Sequence, residues 1–303
     1  MLRTALLAAA QSDRCRAVVA GMPLTRQLVA RFVAGNDAAH AIATASALAV
    51  DREVTLDHLG ESTVDVERAD ATVDAYTHLL LLLGRTGLTS RVEISVKLSA
   101  IGGALAKDGK KIALANARRI CEAASSVGTT VTVDMEDHTT TDQTLETVRE
   151  LRVDFPWVGA VLQAYLRRTE QDCRELAGQG SRVRLCKGAY REPPSVAYQR
   201  KSEVDLAYVR CLRILLAGEG YPMVATHDPR LVAITEELAG DRAFEFQMLY
   251  GIRPTEQDRI AARGHRMRVY VPYGNQWYPY FMRRLAERPA NLAFFLRSLA
   301  TKH

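Results

Sequence analysis

Eight short runs rich in valine, isoleucine and leucine recur from residue 53 onward. Each ends in polar or glycine residues and is followed by a longer stretch of helical character. They read EVTLDHLGE (53–61), RVEISVKLSA (91–100), TVTVDMEDH (130–138), VGAVLQAY (158–165), RVRLCKGAY (182–190), PMVATHD (222–228), FEFQMLYG (244–251) and MRVYVPYG (267–274). Near-continuous apolar strands alternating with helices imply a parallel sheet covered on both faces. Eight such units predict an α/β fold, a closed TIM-like (β/α)8 barrel over residues 51–303. A doubly wound sheet is the main competitor, but no GxGxxG follows the first strand. Residues 1–50, rich in alanine and leucine and broken by Gly21, Pro23 and Gly35-Asn36, predict a separate segment of three short helices.

A barrel of this kind carries its chemistry at the carboxyl ends of its strands. Those ends read Asp57, Lys97, Asp134 with Glu136, Gln163, Arg184 with Lys187, His227 with Asp228, Gln247 and Tyr270. The amino ends show no comparable set, so the polarity is expected to be one-sided.

Each candidate has a structural reading beside its functional one. Lys97, at a buried rim, needs a partner or loses its proton. It suits an anion ligand, a Schiff-base nucleophile or half of a structural pair, and Asp134 on the next strand is the expected partner. DMEDH looks like a metal site, yet the first-strand HxH of metal-dependent barrels is missing and no metal is expected. In RVRLCKGAY the strand runs into Lys187-Gly188-Ala189, whose lysine and free N–H groups offer a seat for phosphate or a polar ring. Gln163, Arg184 and Gln247, long polar groups in a barrel mouth, would find partners on a heteroaromatic cofactor.

In YPYFMRRLAERPAN (278–291), helical spacing puts Tyr280, Arg283, Arg284 and Glu287 on one broad side. That side is either a solvated stripe or a fork for a carboxylate with an aromatic wall. Forty basic against thirty-five acidic residues give a net charge of +5. This is too diffuse for a nucleic-acid binder, but compatible with an anionic cofactor or membrane surface. Five cysteines without a CxxC pair indicate a reduced compartment. MLRTALLAAAQSDRC reads as the start of a helix and not as a signal peptide, so a cytoplasmic location is expected. LLLLLG (79–84) is too short to span a bilayer.

Taken together, these stretches resemble the proline dehydrogenase family, in its monofunctional bacterial form. The anchors are ISVKLSAIG, VDMED, LQAYLRR, VRLCKGAY, YPMVATHD, FEFQML and VYVPYG, followed by Tyr280-x-x-Arg283-Arg284-x-x-Glu287, across about residues 50 to 299. The resemblance implies a distorted (β/α)8 barrel whose last helix caps the mouth, and non-covalent FAD at its carboxyl face. It implies oxidation of L-proline to Δ1-pyrroline-5-carboxylate, with hydride passing to flavin N5 and electrons to a quinone. Arg283, Arg284 and Lys97 would hold the substrate carboxylate, Asp134 would pair with Lys97, and Tyr190, Tyr270 and Tyr280 would wall the ring. FAD would be held by Gln163, Arg184, Cys186, Lys187, Gly188, Ala189, Thr226, His227, Gln247 and Glu287. Glu61 with Arg283 would form a closing ion pair. Transient membrane contact and a separate pyrroline-5-carboxylate dehydrogenase would follow. Arg191, Asp228 and Cys186 depart from the family pattern. Schiff-base aldolase chemistry at Lys97 or Lys187, and a non-catalytic anion-binding barrel, are the rival readings.

Overall fold

A computed structural model describes residues 29–287 of the chain, with side chains described as far as Arg284. The expected helices within residues 1–28 lie outside the described residues. Eight strands form one closed barrel in sequence order, and every neighbouring pair is parallel, including the first with the last. They are β1 (Glu53–His58), β2 (Val92–Val96), β3 (Val131–Val133), β4 (Gly159–Gln163), β5 (Arg182–Cys186), β6 (Tyr221–Ala225), β7 (Glu245–Leu249) and β8 (Arg266–Tyr273). Helix α1 (Ala38–Leu48) precedes them. Between them run α2 (Val66–Gly84), α3 (Gly109–Val127), α4 (Thr141–Asp154), α5 (Thr169–Leu176), α6 (Lys201–Ala217), α7 (Pro229–Ala239) and α8 (Pro254–Ala262), and α9 (Trp277–Glu287) follows β8.

Local sequence explains the helix starts. The Asp65 carboxylate accepts from the Glu67 N–H and opens α2, whose buried stripe of Val73, Tyr76, Leu80 and Leu83 keeps three- and four-residue spacing. The leucine run of 79–83 is thus one helix turn facing the barrel, with Leu81 left outside. Asp228 caps α7 in the same way, accepting from the Arg230 N–H, with Pro229 in the first turn.

The strands correct one expectation. They are not near-continuous apolar runs; they alternate. Val54, Leu56, Ile94, Val96, Val133, Leu185, Phe246, Val269 and Val271 join the hydrophobic core beneath the helices. Thr55, Glu93, Thr132, Arg182, Arg184, Glu245, Gln247 and Arg268 bond to one another across the barrel's inside. Arg182 reaches Glu93 at 2.5 Å and Arg268 reaches Glu245 at 2.6 Å. Gln247 donates to Glu245 and Arg184 donates to Gln247, both at 2.6 Å. Strands β2 and β5 are not neighbours, so the Glu93–Arg182 bond must cross the lumen. The one-sided polarity expected from the sequence therefore fails: Glu93, Arg182, Glu245 and Arg268 form a charged layer toward the amino ends.

A second, smaller core covers the opposite end. Tyr278, Tyr280, Phe281 and Met282 of α9 pack with Val29, Phe32, Val33, Leu59 and Ile252. The rings of Phe32 and Phe281 lie 6.4 Å apart. Residues 34 and 35 are tied to the end of β8, the Ala34 N–H donating to Pro272 O and the Gly274 N–H to Gly35 O, both at 2.9 Å. Gly251, at φ +72°, passes so close to Arg31 O that no side chain would fit there. The last helix is thereby held over the connection after β1 and the loop after β7.

Candidate active site

Lys97 stands just past β2 and donates to both oxygens of Asp57 at 2.9 Å. Asp134, the partner expected from the sequence, forms a second, longer ion pair with Lys97 at 3.8 Å. Its own oxygens are taken: Arg184 reaches one at 2.6 Å, Ser95 the same one at 2.8 Å, and the Tyr270 hydroxyl the other at 2.7 Å. With Asp134 already engaged across the lumen, Lys97 turns to β1. Burial opposes its charge, but Asp57, Asp134 and Glu61 outweigh that and hold the ammonium above its ordinary value. A protonated, doubly bonded lysine cannot attack a carbonyl, which argues against Schiff-base chemistry at Lys97.

Over this floor comes α9. Arg283 donates to Glu61 at 2.5 and 3.1 Å, so the ion pair between the last helix and the connection after β1 is formed. Arg284 lies with its guanidinium 5.2 Å from the centre of the Tyr280 ring. Tyr190, in the loop after β5, completes the group. Burial raises its phenol above the ordinary value, with Glu61 and Glu136 adding to the rise and Lys97 and Arg283 opposing it. Arg184 lies 5.2 Å below the Tyr270 ring. The described side chains of α9 end at Arg284, so the expected role of Glu287 falls outside them.

Gln163, Arg184, Thr226 and Gln247 are buried on the rim from β4 to β7, beside half-buried Cys186, Lys187, Gly188 and His227. Ala189 is exposed in the loop that follows. Several of these groups serve the protein itself. Gln163 donates to Glu136 O at 2.7 Å, and the His227 Nε2 accepts from the Leu249 N–H at 2.9 Å. Gly188, at φ +112°, is required by the Tyr165 ring, which a side chain there would strike. Burial pushes the Cys186 thiol up to about 12, so it stays protonated. Lys187 donates to Asp205 at 2.5 Å and to Asp228 at 2.9 Å, and Lys201 and Arg230 share those carboxylates. Three cations around two carboxylates leave an excess positive charge beside this rim. The 191–200 loop is pinned by buried Glu192, which takes His138 and the Tyr165 hydroxyl.

Two parts of the site were not anticipated from the sequence. Asp57 reads in the sequence only as a strand end, yet it is the chief partner of Lys97. Glu136 and Ser99 form a tie between strand ends: the Glu136 carboxylate accepts from the Ser99 hydroxyl at 2.6 Å and its N–H at 3.1 Å. The period-two pattern of polar residues through VTLD, VEISVK and TVTVDME carried the signal for both.

The family model described as proline dehydrogenase matches residues 41–297. The chain belongs to the proline dehydrogenase family. It is similar to proline dehydrogenase 1 of Bacillus subtilis (strain 168), 39% identical over 286 residues, covering 92% of each chain. Proline dehydrogenase of Deinococcus radiodurans is 41% identical over 280 residues, covering 90% of each. Among solved structures, the chain is similar to proline utilization A from Bdellovibrio bacteriovorus inactivated by N-propargylglycine, at a TM-score of 0.79 and 28% identity. That alignment covers 87% of this chain but 33% of the other, so this proline dehydrogenase chain spans about a third of that structure's length.

Proposed function

We propose that this proline dehydrogenase oxidises L-proline to Δ1-pyrroline-5-carboxylate with FAD as its cofactor. The observation that carries the reading is the Glu61–Arg283 pair, which ties a guanidinium of α9 to the connection after β1, the strand whose Asp57 holds Lys97. Charge-assisted bonds from Arg283, Arg284 and Lys97 suit a carboxylate, and the tyrosines suit the faces of a small saturated ring. FAD, when bound, would supply a two-electron acceptor for the hydride leaving C5 of proline, with a quinone as final acceptor.

The residues present fit that cofactor. Gln163, Arg184, Thr226, His227 and Gln247 give the β4–β7 rim the donors and acceptors a flavin ring needs, with Cys186, Gly188 and Ala189 beside them. The excess charge at Lys187, Lys201 and Arg230 suits a pyrophosphate. Asp134 holds Arg184 and Tyr270 in place, and Asp57 keeps Lys97 charged for binding. When α9 closes, the site orients proline and excludes water. Among the described residues no helix is long and apolar enough to cross a membrane. Cytoplasmic protein with transient contact at the quinone-bearing membrane, and a separate pyrroline-5-carboxylate dehydrogenase downstream, complete the proposal.

The test is a visible spectrum of the purified protein. Flavin absorption that proline bleaches without oxygen is the expected result. A protein that binds no flavin even on reconstitution ends the reading.

A further inference from the structure

Residues 59–65, between β1 and α2, have no regular structure, yet Glu61 must be aimed at Arg283 with its backbone in a set direction. Ser62, immediately after it, sits at φ +53°, a left-handed conformation without a glycine. That geometry is strained for a residue with a side chain and persists only where neighbouring contacts hold it.

The contacts come from one residue. The Ser62 N–H donates to Ser99 Oγ, and the Thr63 N–H to Ser99 O, both at 3.0 Å. Ser99 is itself fixed from β3, its N–H and hydroxyl both donating to the Glu136 carboxylate. The hydroxyl therefore accepts from the Glu61 side and donates to Glu136 at once. Ser99 also lies two residues beyond Lys97, on the short turn Leu98–Ile101 that Lys97 begins. Return of Ser62 to ordinary extended backbone would swing the chain at Glu61 and break both bonds to Ser99.

We infer that Ser99, oriented by Glu136, is the positioning residue that holds the Glu61 loop in its closed direction and couples it to the Lys97 turn. The inference rests on the proposed role of the Glu61–Arg283 pair in the proline site.

Two measurements test it in the holoenzyme: amide hydrogen exchange resolved at Ser62, and proline kinetics in a double-mutant cycle of Ser99→Ala with Glu61→Gln. Ser99→Ala is expected to speed exchange at Ser62 and to raise KM for proline about fivefold, the worth of one neutral hydrogen bond. Ser99→Thr, which keeps the hydroxyl, should restore both. In the Glu61→Gln background the effect of Ser99→Ala on KM should vanish, because there is no longer a pair to aim. Unchanged Ser62 exchange in Ser99→Ala, or the same KM increase in both backgrounds, overturns the inference. Failure of proline to reduce the wild-type flavin defeats the functional reading instead, and the Ser62 exchange rate still decides the anchoring alone.

Discussion

Lys97 and Arg283 show how a site can present cations while keeping each one compensated. Lys97 is matched by Asp57 and Arg283 by Glu61, so neither charge is buried alone. In the proposed site a substrate carboxylate would compete with the protein's own acids, and the weaker-held cation would yield first. Lys97 is bonded to a carboxylate of which 1% is exposed, whereas both Arg283 and Glu61 remain about a quarter exposed. Arg283 is thus the exchangeable partner. Its replacement by alanine should weaken proline binding by about 2–3 kcal/mol, the loss of a charge-assisted contact. The measurement is KM with an artificial electron acceptor, at full flavin occupancy. A KM equal to the wild-type value means that Arg283 never leaves Glu61. That Lys97 bonds most closely to Asp57 was not legible in the sequence, because a lysine just past β2 has one acid on β1 and another just past β3. Which one it takes depends on Arg184 and Tyr270 reaching Asp134 across the lumen, and sequence separation says nothing about that.

Among the elements, α9 depends on a brace far away in the chain. Phe32 packs on Phe281, and the backbone at 34–35 is bonded to the end of β8. Phe32→Ala should remove about 3 kcal/mol or more of packing at this cap, given its nearly complete burial. The barrel strands have their own core, so the loss should fall on docking of α9. Hydrogen exchange should accelerate over 277–284 more than over β2 or β5, and KM for proline should rise. Equal acceleration everywhere contradicts an independent cap. The eight strands and the last helix were legible because valine-rich runs and the Tyr280-x-x-Arg283-Arg284 spacing are local patterns. Packing of residues 29–33 on that helix was not, since it joins segments almost a chain length apart.

At the scale of the whole molecule, the lumen is filled by ions where a barrel of this type more often stacks branched aliphatics. Glu93 receives Arg182, Thr55 and Thr132, with Arg184 and Arg268 within 4.0 Å. Burial opposes its ionisation, but the three arginines prevail and hold its carboxyl below the ordinary 4.5. A depressed carboxyl stabilises the fold fully above 4.5 and loses that contribution as pH falls toward its folded value. Glu93→Gln should therefore cost about 3–5 kcal/mol at neutral pH, because buried guanidiniums lose their counter-charge. Urea midpoints compared across acid pH should show the gap between variant and wild type narrowing below 4.5. A constant gap would mean that the carboxylate's charge is not what stabilises the barrel. The alternation that builds this layer was visible in RVRLC and EFQML, but valine and leucine at every second position made the runs look uniformly apolar. The meeting of residues 29–35 with β8 and α9 also bears on biogenesis. A ribosome delivers the brace early and α9 near the end, so a nascent chain cannot form the Glu61–Arg283 pair until its eighth strand has emerged and closed the ring.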